Sequence, residues 1–119
     1  MSLPKINPVN TDAWKKLLAQ KHIVNKRALK DLFSEDKNRI DHFTIEFDQI
    51  NVDFSKNLID QETFNLLLNL ANECKLKESI GKLFSGKAIN ETENRSVLHT
   101  ALRDFKSDIK SIINDREKA

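Results

Sequence analysis

The sequence predicts a mainly α-helical fold that carries one short antiparallel β-hairpin, and three observations lead there. Apolar residues recur at steps of three and four over most of the chain, the period falls to two over residues 44–55, and only two glycines and two prolines interrupt the whole length. With 119 residues, 39% of them apolar and 32% charged, the chain is large enough for one domain with a modest core and unlike a disordered segment in composition.

The elements follow in order. Pro4 and Pro8 mark an extended lead-in, and Asn10 or Thr11 can cap a first helix with Trp14, Leu17 and Leu18 on its inner face and Lys15 and Lys16 in solvent. A second helical stretch covers Arg27 to Phe33, and Ser34 can cap a third that carries Ile40 and Phe43 inward. Ile45 and Phe47 then alternate with Glu46 and Asp48, as do Ile50, Val52 and Phe54 with Asn51, Asp53 and Ser55. This is strand, turn and strand near 44–55, although the turn at Asp48-Gln49 lacks the Asn-Gly or Asp-Gly pair that favours a tight hairpin. Asp60 can cap the next helix, whose stripe is Phe64, Leu67, Leu68, Ala71 and Cys74, making Cys74 a core residue. Leu76, Ile80, Leu83 and Phe84 share one face of a further short helix, and Gly86 stands where a left-handed terminator is expected. From Glu93 onward Val97, Leu98, Ala101, Leu102, Phe105, Ile109, Ile112 and Ile113 predict one long helix or two abutting ones. That pattern meets no stop signal before Ala119, which predicts a chain that continues.

Composition excludes several function classes. Twenty basic residues against eighteen acidic ones, interleaved, leave a net charge of +2 and no broad footprint for nucleic acid. The basic residues Lys15, Lys16, Lys21, Lys26, Arg27 and Lys30 gather near the start, but Asp31, Glu35 and Asp36 interrupt them and no aromatic platform accompanies them, so a solvated helix face is expected. The longest apolar run, Leu66 to Leu68, is far short of a membrane span, and residues 1–10 lack a signal peptide's apolar core. One cysteine, Cys74, rules out an intrachain disulfide and a CxxC motif, in keeping with a cytoplasmic protein.

Candidate chemistry is sparse. His22, His42 and His99 are far apart and form no metal-binding spacing. His99 would share a helix with Glu93, Arg95 and Arg103, a possible anion site that reads better as a packed histidine among paired charges. The pairs Glu91 with Glu93 and Glu46 with Asp53 read as surface charge, and Gly81-Lys82 lacks the glycines and hydroxyl of a phosphate loop. No catalytic, substrate-binding, cofactor-binding or metal-binding residue is assigned.

Three stretches, in order, carry a resemblance. They are Ile6-Asn7-Pro8 through Trp14 with Leu32-Phe33; Val52-Asp53-Phe54-Ser55-Lys56-Asn57; and Leu83-Phe84-Ser85-Gly86 through Ile89-Asn90, Thr92-Glu93-Asn94-Arg95, Val97-Leu98-His99 and Ala101-Leu102-Arg103. Together, over about residues 6 to 103, they resemble the N-terminal region of the glucose-6-phosphate isomerase family, with Phe54 where that family usually has tyrosine. The likeness departs after Arg103, where relatives show a polar turn and residues 104–119 continue a helical pattern.

The resemblance implies an aldose–ketose isomerase that interconverts glucose 6-phosphate and fructose 6-phosphate through ring opening and an enediol, in glycolysis and gluconeogenesis, without cofactor or metal. It also implies that the whole of residues 1–119 is an N-terminal helical segment that packs on α/β sugar-phosphate domains of a cytoplasmic homodimer. The family's catalytic glutamate, histidine, lysine and arginine and its Ser/Thr phosphate cluster lie further along, so this segment is expected to be structural and inactive alone. The rival expectation is a stand-alone helical module that binds a partner protein through the stripe from Phe105 to Ile113.

Overall fold

The computed structural model describes residues 3–97 and 99–103. It divides into two compact units, one of residues 9–70 and one of residues 3–8 with 71–103.

In the first unit, helix α1 spans Asp12–Val24 and starts where Thr11 Oγ1 accepts the Trp14 backbone N–H at 3.2 Å. The buried line on α1 is Ala13 and Val24, with Leu17 and Gln20 half-buried between them, whereas Leu18 is exposed. Of the expected face, Trp14 and Leu17 are half-buried and only Leu18 turns outward, because the buried stripe runs from Ala13 at steps of four, three and four.

Helix α2 is Leu29–Glu35, and its N-cap, Ala28, has no side chain to offer. Asp31 substitutes by accepting the Ala28 N–H at 3.3 Å, one half of a capping box. Ser34 lies inside α2 and donates its hydroxyl to the Lys30 carbonyl, so it does not cap the following helix. That helix, α3, is the single turn Arg39–His42 behind Asn38. It buries Arg39 and, one turn on, Phe43, while Ile40 faces outward.

Strands β1, Thr44–Phe47, and β2, Ile50–Asp53, form the expected antiparallel hairpin with Phe47 opposite Ile50 and Ile45 opposite Val52. Asp48 takes the left-handed conformation at φ 52°, which a short polar side chain tolerates, and so performs the task usually given to glycine. The four apolar residues of the hairpin share one face, and that face is exposed.

Asp60 caps helix α4, Gln61–Glu73, by accepting the Thr63 N–H at 2.8 Å and the Thr63 hydroxyl at 2.7 Å. Leu66, not Leu67 or Leu68, is the buried leucine of α4, and Cys74 is only half-buried. Phe43, Phe54 and Phe64 meet as a cluster, with Phe43 edge-on to the others at 5.6 and 6.1 Å and Phe54 stacked on Phe64 at 5.7 Å.

In the second unit, helix α5 runs Leu76–Phe84 and ends at Gly86, φ 70°, as expected of a left-handed terminator. The helix predicted from Glu93 does not begin there. Strand β3, Ala88–Asn90, turns back into strand β4, Arg95–Ser96, and only then does helix α6 begin, His99–Leu102. The turn forms because Asn90 Oδ1 accepts both the Thr92 hydroxyl, 2.7 Å, and the Glu93 N–H, 3.3 Å, and Asn94 adopts φ 49°. Those local bonds outcompete the apolar period. Leu98 and the stripe from Phe105 to Ile113 lie outside the described residues.

Candidate functional site

The most organised polar structure is in the first unit, around Arg39, a residue the sequence analysis did not single out. Its side chain is 2% exposed. The guanidinium donates to three carbonyls of one short segment: Nε to Ser55 at 2.8 Å, and Nη2 to Asn57 at 3.0 Å and Ile59 at 2.7 Å. Its plane lies against Phe43, 4.3 Å from the ring centre, and Phe33, 5.5 Å. A helical position facing the core reads in sequence as an error of pattern, and nothing local marks it as the clamp of a loop 16 residues away. The fork geometry is what an arginine supplies and a lysine lacks.

Next to it, Asp60 joins α1 to the start of α4. Gln20 Nε2 donates to both carboxylate oxygens, at 3.2 and 3.0 Å, and Arg27 Nη1 lies 3.7 Å away. Burial by itself would raise the Asp60 carboxyl, but the Thr63 N–H and hydroxyl, Gln20 and Arg27 outweigh it and hold the pKa below the ordinary carboxylate value. Arg27 also pairs with Glu35, whose carboxylate is the leading reason its own pKa is raised.

Arg39, Asp60, Arg27 and Glu35 line an open concavity of about 350 Å³ together with the buried Leu32 and Phe43. On its rim His42 Nδ1 stands 2.8 Å from Asp36 Oδ2, the contact that orients an imidazole for acid–base work. The lining holds no serine, threonine or cysteine for that imidazole to activate, and each arginine is already engaged with carbonyls or carboxylates. The arrangement ties segments together; it does not assemble a reaction centre.

The other candidates from sequence disperse. His22 and His99 are exposed and His42 belongs to the first unit, and among the described residues no group of three His, Cys, Asp or Glu could hold a metal. The cluster of Arg95, His99 and Arg103 loses its basis, because Arg95 is in β4 while His99 opens α6. Arg95 lies 3.4 Å from Glu93, and Glu91 pairs with Lys5 at 2.8 Å. Glu46 accepts the Asn51 amide, 3.1 Å, and Asp53 accepts the Ser55 N–H, 2.8 Å. Gly81 sits within α5 with open space beside it, so it shapes no phosphate loop. The early basic residues are divided by Lys15 with Asp12, 3.2 Å, and Arg27 with its two carboxylates. Among the described residues no helix is long and apolar enough to cross a membrane.

Comparison with known proteins supplies what the geometry lacks. Residues 53–118 match the family model described as phosphoglucose isomerase. The chain is 49% identical over 109 residues to a glucose-6-phosphate isomerase of Christiangramia forsetii, which covers 91% of this chain and 20% of that protein. It is 49% identical over 108 residues to one from Wigglesworthia glossinidia brevipalpis, covering 88% of this chain and 19% of the relative. The chain thus spans about a fifth of the length of the curated relatives it matches.

Proposed function

This chain belongs to the phosphoglucose isomerase family, and from that premise we propose that it is the N-terminal structural portion of a glucose-6-phosphate isomerase. The longer protein interconverts glucose 6-phosphate and fructose 6-phosphate in the cytoplasm as a homodimer, using its own acid–base residues and no cofactor. The observation that carries this reading is the 49% identity to proteins named for that activity over about nine-tenths of the chain.

The chemistry agrees with a structural part for this segment. Moving a proton between adjacent sugar carbons needs a base poised over both and donors for the negative charge that develops on oxygen. The groups around the concavity, Arg39, Asp60, Arg27 and Glu35, are committed to a loop, a helix cap and ion pairs instead. The hairpin supports the same reading from packing. Ile45, Phe47, Ile50 and Val52 are 55%, 75%, 61% and 51% exposed on a single face. A contiguous apolar face of that kind calls for a covering surface, and the proposal assigns it to the sugar-phosphate domains of the longer polypeptide.

The test is to read the coding frame past Ala119, express the whole product and the 119-residue chain, and assay both for conversion of fructose 6-phosphate to glucose 6-phosphate. Activity in the whole product and none in the short chain is expected. A stop codon directly after Ala119, with no activity, would overturn the proposal and favour a stand-alone interaction module.

A further inference from the structure

The hairpin of β1 and β2 is open on both of its faces. One carries Ile45, Phe47, Ile50 and Val52, each more than half exposed. The other carries Glu46, Asn51 and Asp53, also exposed, with Thr44 half-buried at the start of β1. Two strands of four residues are marginal in water without a layer packed on them. Charge is as unevenly placed as apolar surface. From residue 40 to residue 55 there are four carboxylates, Asp41, Glu46, Asp48 and Asp53, and no lysine or arginine, in a chain whose net charge is +2. We infer that the hairpin is an arm held in a groove of the sugar-phosphate domains of the same longer polypeptide. One wall of the groove is apolar and meets Ile45, Phe47, Ile50 and Val52. The other is lined by lysine or arginine and meets Glu46 and Asp53, with Asp48 at the turn.

Such a groove presupposes the longer isomerase proposed above, and area favours that occupant over a second copy. Four side chains of this size offer a few hundred Å². Stable complexes of separate molecules bury about 800 Å² per partner. A smaller contact holds when both sides belong to one polypeptide, because the tether supplies an effective concentration of about millimolar. Charge points the same way. A second hairpin would bring the same three carboxylates to Glu46, Asp48 and Asp53, and like charges set together oppose association. The matched relatives are about five times the length of this chain, which leaves ample surface for a groove.

The test follows hydrogen–deuterium exchange of residues 44–53 in the whole product and in the 119-residue chain, with the amides of α1 as an internal reference. The hairpin should exchange at least about tenfold more slowly in the whole product, a factor in keeping with burial of one phenylalanine. Phe47→Asp should abolish that difference without altering α1, and should change nothing in the short chain, where Phe47 is uncovered. Glu46→Gln combined with Asp48→Asn isolates charge. The first keeps an acceptor for the Asn51 amide, and the second keeps a residue that tolerates the left-handed turn. Together they should speed hairpin exchange about threefold in the whole product in dilute buffer, and the effect should vanish in about 1 M salt. Equal exchange in the whole product and the short chain would overturn the arm, and so would a double variant that exchanges no faster than wild type. Protection that rises with protein concentration would also overturn it, by assigning the face to a second copy. A whole product that isomerises sugar phosphate while its hairpin stays unprotected would sink the arm and leave the proposed function standing.

Discussion

Residues 9–70 and helix α5 use their apolar residues in opposite ways. The first region has a less regular pattern, with a charged residue at a core position, yet it holds Ala13, Val24, Leu32, Phe43 and Leu66 at 5% exposure or less. Helix α5 has the cleaner stripe and buries nothing. Periodicity records which face of a helix is apolar. Whether that face finds a partner depends on the elements brought to it, and in residues 9–70 these arrive because polar groups fix the connections: Arg39 holds the loop at Ser55, Asn57 and Ile59, and Asp60 ties α1 to α4.

The largest expected effect therefore belongs to Arg39. Arg39→Ala would leave three carbonyls without their donor and two phenylalanine rings without their cover, at a cost of about 3–5 kcal/mol in a urea melt followed by Trp14 fluorescence. Arg39→Lys should recover only part of this, since an ammonium cannot span the three acceptors as the planar fork does. Equal stability of all three proteins would break the contrast between a clamped region and an open one.

Leu66→Ala should cost about 2–4 kcal/mol in the same melt, whereas Leu68→Ala, two residues along α4 and half exposed, should stay within about 0.5 kcal/mol. If the two cost the same, the face of α4 assigned here is wrong.

A smaller effect concerns acid. The Asp60 carboxyl has a lowered pKa in the folded chain, so its contribution to stability is fully present above the unfolded value, about pH 4, and is lost as the pH falls through the folded value. The stability difference between wild type and Asp60→Asn should accordingly be largest near neutrality and shrink below about pH 4. A difference that stays constant down to pH 2 would remove Asp60 from the account. Smallest of all, Leu18→Ala should change stability by no more than about 0.5 kcal/mol, because the buried line of α1 passes through Ala13 and Val24 instead.

Much of this was legible in advance. The caps Thr11 and Asp60, the hairpin at residues 44–53 and the terminator Gly86 all act within a few residues of themselves, and local chemistry suffices to predict them. The outward Leu18 and Ile40 and the buried Leu66 were misread because several apolar residues competed for each face, and the choice was made by neighbours distant in sequence. The turn at Asn90 to Asn94 was missed for another reason: its side-chain bonds interrupt a period that would otherwise predict continuous helix.

By itself the sequence determined the helical class, the hairpin, the caps and, through motifs such as Asp53-Phe54-Ser55-Lys56-Asn57, the family. These depend on short-range bonding or on an ordered string of residues. Only the tertiary structure decided that Arg39 is a buried clamp, that Asp60 joins two helices, and that the dispersed histidines and carboxylates form no reaction centre among the described residues. A buried charge is tolerated only where acceptors from elsewhere in the chain converge on it, and such convergence is a property of packing that no local pattern of residues encodes.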